Sequence, residues 1–156
     1  MRGFKVYDKV EKRMIPEPAG ENIFLSGNGN LVDVSNFCVL LSDRYIRLDD
    51  TGLKDKNGVE IYEGDVVAGI YGEQGEGKTR STISGLVRFD RGEFQIYFGG
   101  IHTPSLGELR ASGSIMWCDH NTRLGRNWYG QITDVAVIGN IYENPELIAE
   151  QEGEKT

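Results

Sequence analysis

Residues 50–67 read Asp50-Thr51-Gly52-Leu53-Lys54-Asp55-Lys56-Asn57-Gly58-Val59-Glu60-Ile61-Tyr62-Glu63-Gly64-Asp65-Val66-Val67. Asn57-Gly58 is the strongest short-range turn signal in the chain. A type I′ hairpin turn needs positive φ at both central residues, and Asn and Gly adopt it at least cost. On that reading Val59 and Ile61 start a returning strand. Tyr62-Glu63-Gly64-Asp65 is a second turn, with Gly64 bending the chain and Asp65 accepting backbone amides. It leads into a strand over Val66–Tyr71. A Gly-Asp turn that opens a Val-rich strand is frequent in small SH3-like barrels, an analogy of fold that carries no function. The expected class is mainly β: an SH3-like barrel with extra hairpins and a short C-terminal helix.

Toward the N-terminus, Phe4 and Val6 and then Met14 flank a polar stretch, Asp8–Arg13, which predicts a hairpin. Pro16 and Pro18 end it, since proline cannot donate to a ladder. Asn22–Leu25 and Leu31–Val34 form a second predicted hairpin around Gly27-Asn28-Gly29-Asn30. Asn36–Leu41 is almost continuously apolar and reads as buried on both faces. Tyr45–Leu48 reads as a strand, and the whole stretch Asp50–Val67 is dense in turn residues. Toward the C-terminus, Gly72–Arg80 is a polar, Gly-rich loop, and Thr82–Asp90 pairs with Glu93–Phe98 around Asp90-Arg91-Gly92. Gly99–Gly113 is irregular, Ile115–Trp117 is a short strand, and His120–Asn127 is polar again. Asp134–Tyr142 predicts a strand with a bulge near Gly139. Asn144-Pro145-Glu146 starts a short helix, with Asn144 as N-cap and Pro145 in the first helical position. Residues 150–156 read as a flexible charged tail.

The 156 residues suffice for one domain with a real core, 1–149, or for two small β-subdomains within it. Twenty-one glycines, about twice the count that a usual ~7% would give, fit many tight turns between short strands. The net charge of −7 disfavours binding nucleic acid or anionic membrane across the whole surface. No apolar run approaches the ~20 residues of a membrane span, and the N-terminus has no signal-like apolar segment, so a cytoplasmic protein is expected. Two cysteines, Cys38 and Cys118, imply no disulfide framework.

Four patterns invite a chemical reading. Gly72-Glu73-Gln74-Gly75-Glu76-Gly77-Lys78-Thr79 matches the phosphate-loop spacing formally. That loop works only where it opens a helix whose amides hold the phosphates. Here β-branched Thr82 and Ile83 follow, and Glu73 and Glu76 would repel phosphate, so Lys78 is not expected to be a phosphate ligand. Asp55-Lys56-Asn57-Gly58 has its glycine too early for a calcium loop. Cys118, His120 and His102 are too few and too scattered for the usual four zinc ligands, and no metal or other cofactor is expected. A catalytic pair of Cys118 with His120, or of carboxylates among Glu60, Glu63 and Asp65, finds no supporting constellation, so no catalytic residue and no enzyme activity is expected.

The more concrete binding candidate is the Arg110–Tyr129 segment. Arg110, Arg123 and Arg126 are interleaved there with Trp117, Trp128 and Tyr129, the mixture that binds single-stranded nucleic acid by stacking and charge. The competing reading is an exposed loop over aromatic anchors. Ile138, Ile141, Leu147 and Ile148 are more apolar surface than one short strand and helix bury alone, which points to homo-oligomerisation.

The central block, the N-terminal Phe4-Lys5-Val6-Tyr7-Asp8, and the C-terminal Val137-Ile138-Gly139-Asn140-Ile141-Tyr142-Glu143-Asn144-Pro145-Glu146-Leu147 together resemble the YopX family of phage and prophage proteins. Asp49-Asp50 depart from the family pattern, which more often has Gln and an aromatic residue there, and residues 68–131 match no block of it. The resemblance implies architecture and a phage or prophage origin without an activity. It marks Gly52, Asn57, Gly58, Gly64, Asp65, Gly139, Asn144 and Pro145 as structural signature positions. The function expected is a non-enzymatic binding or assembly module, self-associating or bound to an unidentified phage or host protein. The alternative is a nucleic-acid-binding regulatory protein using Arg110–Tyr129.

Overall fold

The computed structural model describes residues 3–35, 38–39, 43–73, 80–90, 92–97, 115–119 and 128–148. The chain is mainly β and divides into two compact units, Met1–Asp50 and Thr51–Thr156.

In the first unit, β1 (Phe4–Asp8) pairs antiparallel with β2 (Arg13–Ile15) and with the first part of β6 (Tyr45–Lys54). Period-2 alternation in β1 and β2 brings Val6 opposite Ile15, and both are buried. Ile23 joins them in the core, with Phe4, Leu31 and Tyr45 packed at its margin. After Pro16 the chain makes a 3-10 turn at Pro18–Glu21, then forms β3 (Ile23–Leu25), β4 (Leu31–Asp33) and β5 (Cys38–Val39) as a small antiparallel sheet. Both hairpins lie where the turn residues predict them. Only Cys38 and Val39 of the apolar run Asn36–Leu41 are among the described residues. The strand expected over Tyr45–Leu48 continues to Lys54, so the first residues of the turn-dense Asp50–Val67 stretch are extended. Gly52 accommodates this with φ 76 inside the strand, a conformation costly for any residue with a Cβ.

In the second unit, β7 (Glu60–Tyr62) is the neighbour of β6, and a five-stranded antiparallel sheet follows in the order β10-β9-β8-β12-β11. Its members are β8 (Asp65–Glu73), β9 (Arg80–Asp90), β10 (Glu93–Tyr97), β11 (Ile115–Asp119) and β12 (Trp128–Asn140). Ile61, Val67, Val87, Ile96, Ile132 and Val135 make the core, with Leu53, Ile83, Phe94 and Val137 against it. Burying a set of this size is the main driving force of the unit, at roughly 1.5–3 kcal/mol per large aliphatic side chain.

Two bulges interrupt β12. Between the rungs Thr133–Ile70 and Ala136–Ala68, the residues Asp134 and Val135 face the single residue Gly69. Between Val137–Val67 and Gly139–Val66, Ile138 is the extra residue, which is the bulge expected beside Gly139. Asp134 takes φ 57. A Cβ on Gly69 would collide with Ile132 Cγ2 and come within 3.1 Å of the Thr133 carbonyl oxygen, so only glycine fits opposite the first bulge. After β12, residues 146–148 form a helical turn, and none of the described helices is long and apolar enough to cross a membrane.

Candidate functional site

The Asp55–Val59 hairpin docks on the first bulge of β12. Its turn differs from the type I′ expectation. Gly58 has φ 81, but Asn57 is not in the positive-φ region. The Gly58 amide donates to the Asp55 carbonyl at 3.0 Å, and the Asp55 amide donates to the Val59 carbonyl at 2.8 Å. This is a turn closed by one left-handed glycine, the arrangement of a three-residue hairpin loop with a glycine bulge. The physical reason is Asp55, whose side chain takes over the amides that a tighter turn would pair across the strands.

Asp55 is only 4% exposed. Its Oδ1 accepts the amides of Asn57 at 2.7 Å and Val59 at 2.9 Å, and its Oδ2 accepts the Val137 amide of β12 at 3.0 Å. The Lys56 amide donates to the Val135 carbonyl at 2.9 Å, and the Lys56 ammonium lies 3.9 Å from Asp134. Burial pushes the Asp55 carboxyl up, but the amides of Val137, Val59 and Asn57 and the Asn57 side chain outweigh it and hold the group below its ordinary value. The carboxylate therefore ties the hairpin to β12 just beyond its first bulge.

The acidic turn after β7 is built in the same manner. The Tyr62 amide donates to Asp65 Oδ2 at 2.8 Å, and the Tyr62 hydroxyl donates to Glu60 at 2.9 Å. Gly64, with φ 84, donates to the Val87 carbonyl and accepts from the Ile141 amide, which joins β9 and the segment after β12 to this turn. Asn140, 8% exposed, accepts the amides of Tyr142 and Glu143 at 3.0 and 2.9 Å and donates to the Glu143 carboxylate at 2.6 Å. Sequence reasoning put the cap of the helical turn at Asn144. That residue contributes its carbonyl, which accepts the Leu147 amide at 3.1 Å, while Asn140 organises the residues before it. Pro145 is exposed at the start of the turn. A Cβ on Gly139 would meet Asn144 Oδ1 at 2.6 Å and Leu147 Cδ1 at 2.7 Å, which explains glycine there.

In the first unit, Asp8 closes the β1–β2 turn. Its Oδ1 accepts the amides of Val10 and Glu11 at 2.9 and 3.1 Å, and Arg44 reaches the carboxylate with Nε and with Nη2, the latter at 2.7 Å. The Arg44 guanidinium, aided by the two amides and opposed by burial, pulls the Asp8 carboxyl down to about 2. Asp8 opens the polar stretch Asp8–Arg13 of the sequence, but its partner Arg44 lies 36 residues away and nothing local announces it.

Of the nucleic-acid candidates, Trp117 is on β11, and Trp128 and Tyr129 open β12. The segment is thus not a single exposed loop. Its two ends are paired strands, with Asp119 opposite Trp128, Cys118 opposite Tyr129 and Trp117 opposite Gly130. Arg110, Arg123 and Arg126 lie outside the described residues, as do Lys78, His102 and His120. Strand β9 begins at Arg80 and pairs with β8, Gly72 opposite Arg80, so a strand stands where a phosphate loop requires a helix. Among the described residues, no group of three His, Cys, Asp or Glu side chains is arranged to hold a metal ion.

The model of the YopX protein family matches residues 3–149. The chain belongs to the YopX family. Its fold is similar to the crystal structure of protein EF1440 from Enterococcus faecalis, at a TM-score of 0.50 and 24% identity, covering 95% of this chain and 98% of that one. None of the curated proteins matches it.

Proposed function

We propose that this YopX-family chain is a non-enzymatic binding or assembly module, encoded by a phage or prophage and working as a homo-oligomer in the bacterial cytoplasm. One observation carries the reading. Asp8, Asp55, Asp65 and Asn140, all buried polar groups, hold backbone amides of their own chain. Groups used in this way set loop geometry and are poorly placed to exchange protons or bind substrates. Apolar side chains meanwhile remain on the surface of the second unit. Phe89 is 52% exposed with its ring 5.0 Å from Phe94, and Ile138 is 44% exposed. Edge strands are natural docking elements, and β10 and β11 hold the two edges of the five-stranded sheet. The SH3-like barrel expected from Gly64-Asp65 belongs to the same proposal.

Light scattering of the purified chain over a hundredfold concentration range tests self-association, and Phe89→Ser with Ile138→Ser should shift it toward monomer. A strictly monomeric species at the highest concentration overturns the oligomer. Capture of a specific phage or host protein from lysogenic cells supports the module reading.

A second reading has one favouring observation. Trp117 and Trp128 stand two rungs apart on paired strands, which gathers aromatic residues of the Arg110–Tyr129 segment on one hairpin. It requires the segment's arginines to overcome the net charge of −7. Titration with a fluorescent single-stranded oligonucleotide separates the readings: binding that weakens with salt and is lost in Trp128→Ala favours nucleic acid.

A further inference from the structure

We infer that Asn57 is a chemical modification site, at which self-catalysed deamidation is held back by the Asp55 turn and, once it occurs, releases that turn from β12. Asn followed by Gly is the pairing in which the next backbone nitrogen reaches the side-chain carbonyl carbon most freely, because glycine has no Cβ to obstruct the approach. Asn57 is exposed, and the space around Gly58 is open, with no atom other than those of its chain neighbours within 4 Å of where a Cβ would stand. Room exists for a five-membered imide and for water.

The reaction balances without an external reagent other than water. The Gly58 nitrogen, losing its proton to solvent base, bonds to Asn57 Cγ. The Cγ–Nδ2 bond breaks and ammonia leaves. Water then opens the cyclic imide at either carbonyl, which leaves an ordinary aspartate in place of the asparagine or its isomer with the main chain routed through the former side chain. In the folded turn the nucleophile is occupied, since the Gly58 amide donates to the Asp55 carbonyl at 3.0 Å, and the Asn57 amide is held by Asp55 Oδ1 at 2.7 Å. Reaction therefore needs local opening of the loop. The products undo the hairpin. A new carboxylate stands beside the Asp55 carboxylate, and the isomer adds a backbone atom just before Gly58, which removes the register that presents Asp55 Oδ2 to the Val137 amide.

Asn28-Gly29 serves as an internal comparison in the first unit. Its glycine amide donates to the Ser26 carbonyl at 2.9 Å. The experiment incubates the whole chain in mildly alkaline buffer, folded and in urea, and follows both sites by peptide mass spectrometry with separation of the isomers. Conversion of Asn57 should be about tenfold or more slower in the folded wild type than in urea, in keeping with reaction through an opened loop. Asp55→Asn, with Asp55→Ala as the stronger variant, should speed folded-state conversion at Asn57 and leave Asn28 unchanged. Equal rates at Asn57 in folded and urea-unfolded wild type overturn the inference. So does a folded Asp55→Asn protein with wild-type kinetics. Chromatographically isolated protein carrying the isomer should show faster hydrogen exchange at the Val137 amide, and unchanged protection there overturns the proposed release.

Discussion

Replacing Asp55 by alanine removes three hydrogen bonds to a charged acceptor, and their surroundings decide how much each is worth. Asn57 and Val59 are exposed, so water replaces the lost acceptor at both amides, and each bond contributes only the ~0.5–1.5 kcal/mol net of an ordinary exchange with solvent. The Val137 amide sits in β12 at a half-buried position, where an unmade bond costs about 1–3 kcal/mol. Relief of the desolvation of a 4% exposed carboxylate offsets part of the total. The net expectation is a loss of about 2–4 kcal/mol, which for a chain of this length lowers the melting temperature by roughly 5–15 °C. Asp55→Asn retains an acceptor for the turn amides, but its NH2 group then faces the Val137 N–H, so it should fall between wild type and alanine. Urea unfolding of both variants gives the stability order, and amide exchange locates the effect. Val137 should lose protection, while Val6 and Ile15 in the first unit keep theirs. An Asp55→Ala protein within about 0.5 kcal/mol of wild type, the usual spread of an unremarkable surface change, refutes the clamp.

Four further outcomes follow from the same geometry. Asp8 has its folded pKa depressed from 3.8 to about 2, so its contribution is complete above pH ~4 and is lost as pH falls through ~2. Because Arg44 is 40% exposed, screening trims that contribution to about 1–2 kcal/mol, and Asp8→Asn should flatten this part of an acid-unfolding curve. Gly69→Ala should cost about 1–3 kcal/mol in thermal unfolding, since its methyl group meets Ile132 and the Thr133 carbonyl; an unchanged melting temperature contradicts the close approach. Gly58→Val should cost about 1–3 kcal/mol from φ 81 alone, because the open surroundings add no clash. Calorimetry with ATP and GTP should show no binding that depends on Lys78, and nucleotide binding abolished by Lys78→Ala overturns the strand-based argument.

Local chemistry carried most of the strand pairings. Val6, Met14, Ile83 and Ile96 lie in apolar runs that flank polar or Gly-rich turns, so four hairpins were readable at short range. Two stretches read differently in the structure. Asp50–Lys54 contains Asp, Thr, Gly and Lys, a turn composition, yet it is extended as the end of β6, whose neighbour there is β7 just across the Asp55–Val59 hairpin. Trp128 and Tyr129 looked like loop anchors because Gly130 and the polar residues before them interrupt the pattern, whereas β12 runs on through them by pairing with β11.

The site-level chemistry was less accessible because the partners that decide it are distant in sequence. A carboxylate beside a turn is ambiguous in sequence: Asp55 and Asp65 share their local signature with ligands of metals and with general bases. What separates these roles is the destination of the lone pairs. For Asp55 the deciding acceptor contact is with Val137, 82 residues away, and for Asp8 it is with Arg44, 36 residues away. Val137 lies just beyond the first bulge of β12, at the rung Val137–Val67, and the bulge faces Gly69, where a Cβ would meet Ile132 and the Thr133 carbonyl. Three separated positions thus meet at one place: a glycine opposes the bulge, an amide follows it, and an aspartate accepts that amide. Each step is ordinary, but the sequence shows only the first and last, and it shows them as unrelated turn residues. The proximity also sets an order among the perturbations. Gly69→Ala should disturb the Val137–Asp55 bond along with the bulge, whereas Asp55→Ala should loosen the hairpin and leave the rungs Thr133–Ile70 and Val137–Val67 in place. Combined, the two substitutions should cost less than their sum, since the second removes a contact already weakened by the first. Full additivity in a double-mutant cycle would mean that the bulge and the clamp form independently.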